Sequence, residues 1–342
     1  MMTLPLASVV IVPREGFRQA PACLERLFEV TTTPMRLVYV DAGAPRRIAR
    51  RLEQLIERHG GTLIRAERYV RPTDARNLGF AAVDTRYVVF LDNDVVVTPG
   101  WLDALISCAD QTGAAFVSPI ICIGGQVPPV VHVAGGVNRI VEEGGVRRFV
   151  ETYARMGWPL AAVRAEVGRA PTTMAEFHAV LVRTESLRAL GGLDERCSTA
   201  FEHNDLCLSL AARGDVGWLE TASLVDYVQD SPAAIGNAQY HMLRWCRSWI
   251  DESLDGFCRK WNLRPDDAGF AESLRSLHGR RGRPIRRLQT MAGRIGGGTA
   301  SRWVAALAEA WVERVVRRYH ENRPPAVRRS RWPGAGAQDF ER

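Results

Sequence analysis

At 342 residues, 46% hydrophobic and 24% charged, the chain has the composition of a globular protein with one sizeable core or two smaller ones, which excludes a disordered chain. The net charge of +7 is unevenly spread: residues 275–332 hold 15 Arg and 3 Glu, so a basic tail follows a slightly acidic body. Seven cysteines, an odd number with no C-x-x-C spacing, read as buried thiols; no apolar run approaches the roughly 18 residues of a membrane span, and the start "MMTLPLAS" lacks the basic residues of a signal peptide, so the cytoplasm is the expected location.

In chain order, the apolar runs "ASVVIV", "MRLVYV", "GTLIRA" and "YVVFL" read as strands. Between them "APACLERLFEV", "RRIARRLEQLIERHG" and "TDARNLGFAAV" carry apolar residues at spacings of three and four, the period of a helix. Such alternation predicts an α/β fold with a mixed, mainly parallel sheet flanked by helices. Ligands then bind at the carboxyl ends of strands, where this chain places Arg14 and Glu15, Asp41, and Asp92 to Asp94. Residues 124–175, rich in Gly, Pro and Val, read as hairpins and loops. A helix is predicted over 199–213, with Thr199 and Glu202 as a capping box and Gly214 as its stop. From Asp251 the pattern is helical, then Arg-, Gly- and Pro-rich; "RIGGGTAS" lacks the G-K-[ST] ending of a phosphate loop and reads as a flexible joint. Residues 299–320 form an amphipathic helix, with Trp303, Leu307, Trp311 and Val315 four apart and Arg314, Arg317 and Arg318 beside them.

The triplet Asp92-Asn93-Asp94 poses an electrostatic question. In an extended chain, residues i and i+2 face the same way, so the two carboxylates repel unless something positive sits between them. A hard divalent cation, Mg2+ or Mn2+, is the usual solution, and such ions complete their shell with phosphate oxygens. Taken alone, D-x-D is as compatible with a solvated turn.

It stands in company. "SVVIVPREGF", "LVYVDAGAP", "ARNLGFAAVDTRYVVFLDNDVVVTPGWLDAL", "LVRTESLRALGGLDE" and "FEHNDLCLSLAARG" follow one another in the order and rough spacing of family 2 glycosyltransferases of the GT-A fold, in the nucleotide-diphospho-sugar transferase superfamily. The resemblance covers about residues 6–262. It implies a GT-A domain over 1–262, with a donor half to about 123 and an acceptor half from about 124, followed by a helical, Arg-rich extension over 263–342.

The implied activity is metal-dependent, inverting transfer of a sugar from a nucleoside diphosphate sugar to a saccharide, lipid-linked or other hydroxyl-bearing acceptor. Residue by residue, the resemblance puts Asp41 on the nucleotide, with Pro13, Arg14 and Glu15 as the other wall of the base pocket. Arg76 and Asn77 match a segment under the donor, Asp92 and Asn93 would contact ribose or metal, and Asp94 would bind the metal bridging the diphosphate. A metal-completing histidine often lies downstream; Tyr227 stands near that place and His241 follows it. His178 is open to two readings, an acceptor-facing residue or a satisfied core histidine, and His132 has no spacing that argues a metal site.

The chain departs from the family at Glu202-His203-Asn204-Asp205-Leu206, where Glu-Asp-x-Asp-Leu is usual and a carboxylate deprotonates the acceptor. Glu202, His203 and Asp205 are all candidate bases, a carboxylate being favoured. The departure motivates an alternative, a catalytically weak nucleotide-sugar-binding or scaffold protein. A sugar nucleotidyltransferase is disfavoured because "VPREGF" has one glycine where that class has a Gly-rich basic loop. The basic tail is expected to pack on the domain or a partner subunit, with contact to the inner face of a membrane as the alternative; nucleic acid is not expected. Since every matched motif precedes Lys260, the tail reads as dispensable for donor chemistry.

Overall fold

The apolar runs become the centre of a sheet in the computed structural model, which describes residues 4–228, 238–321 and 326–333. The first half alternates as the periodicity requires: β1 (Ala7–Val12), α1 (Ala20–Val30), β2 (Met35–Ala42), α2 (Arg46–His59), β3 (Gly61–Ala66), α3 (Pro72–Phe80) and β4 (Tyr87–Asp92). There follow β5 (Val95–Val97), α4 (Trp101–Thr112), β6 (Phe116–Ile123), β7 (Val130–Val133), β8 (Gly136–Glu143), β9 (Val146–Tyr153), α5 (Leu160–Glu166), β10 (Ala170–Thr172), β11 (Ala179–Arg183) and α6 (Thr184–Ala189). The remainder comprises α7 (Glu202–Ala211), β12 (Gly217–Tyr227), α8 (Ala238–Arg244), α9 (Arg247–Trp261), α10 (Ala268–Arg281), α11 (Arg286–Glu321) and β13 (Val327–Trp332).

The main sheet runs β10-β12-β6-β11-β4-β1-β2-β3-β13, with β5 on β12 and β7 on β6. Strands β3, β2, β1 and β4 are parallel; β11 inserts antiparallel between β4 and β6. All six residues of β1 and of β4 are buried, because helices cover both faces, as continuous apolar runs require. One core lies on each side, around Val9, Leu24 and Trp101 on one and Val10, Phe90 and Leu206 on the other. The register pairs Val12 with Asp92, so the loop after β1 and the acidic triplet after β4 emerge side by side.

Strands β8 and β9 form a separate hairpin. Its turn, Gly144-Gly145, has φ of +58° and +76°, the doubly left-handed conformation of a two-residue type I′ turn. The hairpin predicted in this region is therefore present, and it carries Glu151 toward α7. All seven cysteines are buried thiols, as expected.

One local expectation fails. The Thr199–Glu202 capping box does not form: α7 opens after Phe201, at φ +62°, and the Thr199 hydroxyl donates instead to the carbonyl of Arg244 at 3.0 Å. Tertiary packing on α8 thus outbids a local cap. Packing continues past residue 262. Phe270 of α10 stacks on Phe149 at 5.7 Å and lies in one cluster with Phe201 and Phe257, and β13 adds an antiparallel edge strand to β3. The joint read at "RIGGGTAS" is a kink inside α11, where Gly296 and Gly297 leave helical geometry. Beyond it the helix packs through Val312 and Val316, leaving Trp303 65% and Leu307 68% exposed. Among the described residues no helix is long and apolar enough to cross a membrane.

Candidate functional site

Asp92 closes β4, and its charge is neutralised from two sides. Arg76, on α3, is itself buried; its Nη2 donates to Asp92 Oδ1 at 2.9 Å while its guanidinium overlies Phe177 at 4.0 Å. Arg14, from the loop after β1, donates to Oδ2 at 3.2 Å, and His178 Nδ1 lies 3.3 Å from the same oxygen. These partners hold the Asp92 carboxyl well below the usual range despite burial, which pushes it up. The backbone N–H of Arg14 also donates to Asn93 Oδ1 at 2.9 Å. The positive charge that the triplet demanded is thus supplied to Asp92 by two guanidinium groups, and both of its oxygens are in use. This differs from the expectation that Asp92 shares a metal.

Asp94 is different. It is equally buried, yet among the described residues its Oδ1 has no hydrogen-bond partner. Burial, with repulsion from Asp92 and Glu15, outweighs the pull of Arg14 and Arg244 and raises its carboxyl to about 7. A Cβ at Gly16 would stand 2.6 Å from the Asp94 Cβ, so only glycine lets the loop close over it. A desolvated carboxylate oxygen without a donor fits a cation ligand.

Helix α8 and its C-terminal neighbours cover this corner. Tyr240 donates to the carbonyl of Pro13 at 3.1 Å. His241 Nδ1 lies 2.8 Å from Glu15 Oε2 and its Nε2 lies 2.8 Å from the carbonyl of Arg280; Trp245 Nε1 donates to the other Glu15 oxygen. Burial pushes the Glu15 carboxyl up, but His241, Arg244 and Arg14 carry it down to about 2. Both nitrogens of His241, expected as a metal ligand, thus face oxygen atoms of Glu15 and Arg280. Arg244 and Arg280 flank the Trp245 ring at 4.8 and 5.0 Å. Arg244 is buried with Nε and Nη1 unpartnered, and Arg280 Nε is also without a partner. Neither arginine, nor Trp245, stood out in the sequence.

The three candidate bases diverge although they are adjacent on α7. Asp205 accepts from Lys260 Nζ and Trp261 Nε1, each at 2.8 Å, and lines a cavity of about 360 Å3 with Asn77, Gly192, Ser209 and Lys260. Asp92 and Asp94 are not among that cavity's walls. Glu202 lies 3.7 Å from Nη1 of Arg76. His203 Nε2 lies 3.2 Å from Glu151 Oε1, which also accepts from Asn204 Nδ2 at 2.7 Å. Burial lowers the His203 pKa, but the Glu151 carboxylate outweighs it, and the net shift is upward. The carboxylate favoured from the sequence is drawn away by partners 55 and 56 residues later in the chain. Asn77 is likewise occupied, bonding main-chain atoms of Leu193 through both its Oδ1 and its Nδ2; it pins the turn before α7.

Asp41, at the end of β2, accepts from the N–H of Ala44 at 2.9 Å and from Arg65 Nε at 3.1 Å. Burial nonetheless dominates and raises its carboxyl. It lines a cavity of about 410 Å3 with Gly43, Ala44, Arg65, Glu67 and Arg328. Arg328 belongs to β13, so the tail contributes to this wall.

A sheet of this order with D-x-D at the end of β4 matches the sequence model of glycosyl transferase family 2 over residues 8–145. The match covers the first part of the chain, residues 8–145 of 342. The match includes β1 to β8 and every donor-side residue named above up to Asp94. Two relatives of this family 2 region, both pre-mycofactocin glycosyltransferases, come from Mycobacterium tuberculosis strains CDC 1551 / Oshkosh and ATCC 25618 / H37Rv. Each is 29% identical over 143 residues, 42% of this chain and 27% of the relative, so the similarity spans about a quarter of their length. Among solved structures, that of GalNAc-T7 with UDP, GalNAc and Mn2+ superposes with a TM-score of 0.50 at 14% identity, covering 82% of this chain and 55% of that one. The likeness is one of fold. It bears out the expected GT-A architecture: a mixed, mainly parallel sheet between helices, continued by a helical C-terminal region.

Proposed function

We propose that the protein is a glycosyltransferase that moves a sugar from a nucleoside diphosphate sugar to a hydroxyl-bearing acceptor with inversion, using a divalent cation, Mn2+ or Mg2+. The observation that carries this reading is a pair of complementary deficits at one corner. Asp94 Oδ1 is a buried acceptor without a donor, and Arg244 Nε and Nη1 are buried donors without an acceptor. Each deficit costs on the order of 1–3 kcal/mol in the free protein; a cation and a diphosphate would satisfy both. GalNAc-T7, similar in fold, was solved with UDP and Mn2+.

In this reading Asp94 holds the cation, and Arg244 and Arg280 receive the diphosphate oxygens. The nucleoside occupies the Asp41 cavity, walled by Gly43, Ala44 and the Pro13 to Glu15 loop. Asp92 and Asn93 shape the floor, with Arg76 beneath Asp92 as its counter-charge. When bound, the cation stabilises the negative charge of the leaving diphosphate as a Lewis acid.

His203 is assigned as base. With Nε2–H directed at Glu151, Nδ1 keeps the lone pair, and that nitrogen takes the acceptor hydroxyl proton as the oxygen bonds to the anomeric carbon and the bond to the diphosphate breaks. Glu151 fixes the tautomer and raises basicity, as an orienting carboxylate does. Addition of Mn2+ with UDP, GDP and dTDP to the full chain tests the reading: at least one nucleotide should raise the melting temperature only when the metal is present. The absence of any metal-dependent shift, in that panel and with the corresponding nucleotide sugars, would sink the proposal. Donor turnover that requires acceptor would separate an enzyme from a binding protein.

We further place the protein at the inner face of a membrane, where a lipid-linked acceptor would be presented. Trp303, Leu307 and Trp311 project from α11 with Arg302, Arg314 and Arg318 nearby on the helix, the composition of a helix that lies on an anionic surface. Co-sedimentation with phosphatidylglycerol vesicles but not phosphatidylcholine vesicles, lost in a Trp303→Ser/Trp311→Ser variant, is the expected result. Concentration-dependent dimerisation abolished by the same substitutions would favour a subunit contact instead.

A further inference from the structure

Three polar side chains outside the donor corner converge on one point. His132 is carried by β7, while Glu176 and His178 lie on the extended segment leading into β11. His132 Nε2 is 3.5 Å from Glu176 Oε2, and His178 Nε2 is 3.2 Å from the same oxygen. One ligand atom from each of the three residues lies within 4.8 Å of the other two. Ligand atoms of a tetrahedral cation with bonds near 2.0–2.2 Å stand about 3.3 Å apart, close to the separations of both imidazoles from Glu176.

The surroundings add a second feature. His178 turns its other nitrogen, Nδ1, toward Asp92 Oδ2 at 3.3 Å, and a carboxylate behind a ligating imidazole fixes its tautomer and raises its basicity. The backbone is also fixed there, because the N–H of Asp92 donates to the carbonyl of His178 at 3.1 Å. Glu176 and His178 are two apart on an extended chain and so share a face; His132 joins them from 44 positions earlier, which is why no sequence spacing announced the set.

We propose that His132, Glu176 and His178 form a second divalent-cation site, separate from Asp94, selective for a borderline metal of the zinc or cobalt kind over magnesium. Two imidazole nitrogens and one carboxylate oxygen suit such ions, whereas Mg2+ prefers oxygen alone. Three protein ligands leave a position for water or a substrate oxygen, the pattern of a working site more than of a structural one. Arg14 opposes loading: its Nη1 touches both ring nitrogens of His178, lying 2.6 Å from Nε2, while also donating to Asp92 Oδ2, so the guanidinium must swing aside, toward the Tyr227 ring it already approaches at 5.0 Å. The site therefore exchanges one cation for another, and its affinity is set by that competition. This inference uses neither Asp94 nor a nucleotide, although His178 borders the donor corner through Asp92 and Arg14.

The test is a titration of the chelator-treated full chain with Co2+ in the absence of nucleotide, read by visible absorption. One equivalent should produce the intense bands of four- or five-coordinate cobalt, displaced by Zn2+ and not by equimolar Mg2+. His132→Ala and Glu176→Gln should lose the bands, and Asp94→Asn should keep them. No bands in the parent, bands that survive His132→Ala, or bands lost in Asp94→Asn would each overturn the second site. Should the His132 variant misfold, the parent itself decides: Co2+ must broaden or shift the imidazole NMR signals of both His132 and His178, and unchanged signals refute the proposal.

Discussion

Glu15 and His241 face each other at 2.8 Å, tying the loop after β1 to helix α8 beside Asp94. The same histidine reaches the carbonyl of Arg280 on α10, so one imidazole joins the donor-side loop to the C-terminal extension. The tail is thereby part of the donor corner and not an appendage to it.

This relationship reverses the expectation that residues after about 270 can be removed freely. Truncation there deletes Arg280, the Val312 and Val316 contacts on Met242 and Trp249, and strand β13. Burying one such side chain contributes roughly 1.5–3 kcal/mol, so the truncated chain should unfold at lower urea concentration. Its metal-dependent nucleotide shift should also weaken. A truncation that melts and binds like the parent would show that these contacts carry no weight.

Asp94→Asn should abolish Mn2+-dependent nucleotide binding while the apo protein keeps or gains stability. The substituted carboxyl has an oxygen buried without a donor, and an amide removes a charge that pays a desolvation cost. Isothermal titration and thermal melts on the same sample check both halves.

Arg76→Met should be far more damaging to folding than its position in a binding motif suggests. Arg76 and Asp92 are each 1% exposed and bonded at 2.9 Å, and removing one partner of a buried pair costs about 3–5 kcal/mol. Urea denaturation measures this directly; a loss under about 1 kcal/mol would mean that Arg14 and His178 suffice for Asp92.

The His203–Glu151 pair makes a pH prediction. If neutral His203 is the base, turnover rises with pH through its pKa, which the pair raises above 6.5. Glu151→Gln removes the carboxylate while burial still disfavours the imidazolium, so the acid limb should move to lower pH. His203→Ala should cut turnover by about 10² to 10⁴-fold with donor affinity retained. Stability follows with its own sign. The raised His203 pKa adds stability that is fully present below 6.5 and lost as pH rises through the folded value; the lowered Glu151 pKa adds stability above 4.5 that is lost as pH falls. Glu151→Gln should therefore destabilise most between about pH 4.5 and 6.5, and less as pH rises through the raised His203 pKa. An unchanged acid limb in Glu151→Gln would remove His203 from the role.

What the sequence determined alone was whatever depends on neighbours along the chain. The alternation of apolar runs fixed β1 to β4 and the helices between them, since strand and helix periods are local properties. The same local signal put Asp41 and Asp92 to Asp94 at strand ends, where a parallel sheet exposes its binding edge. The tertiary structure decided which of those groups are free to act. Asp92 is consumed by Arg76 and Arg14, Asp205 by Lys260 and Trp261, His241 by Glu15 and Arg280, while Asp94 Oδ1 and Arg244 Nε and Nη1 are left without hydrogen-bond partners among the described residues. Each partnership joins residues from 16 to more than 200 positions apart, and ionic pairing acts through distance in space and the removal of water. Neither is encoded in spacing along the chain, so Glu202, His203 and Asp205 all stood as candidate bases, a carboxylate favoured, until the fold turned each toward a different partner.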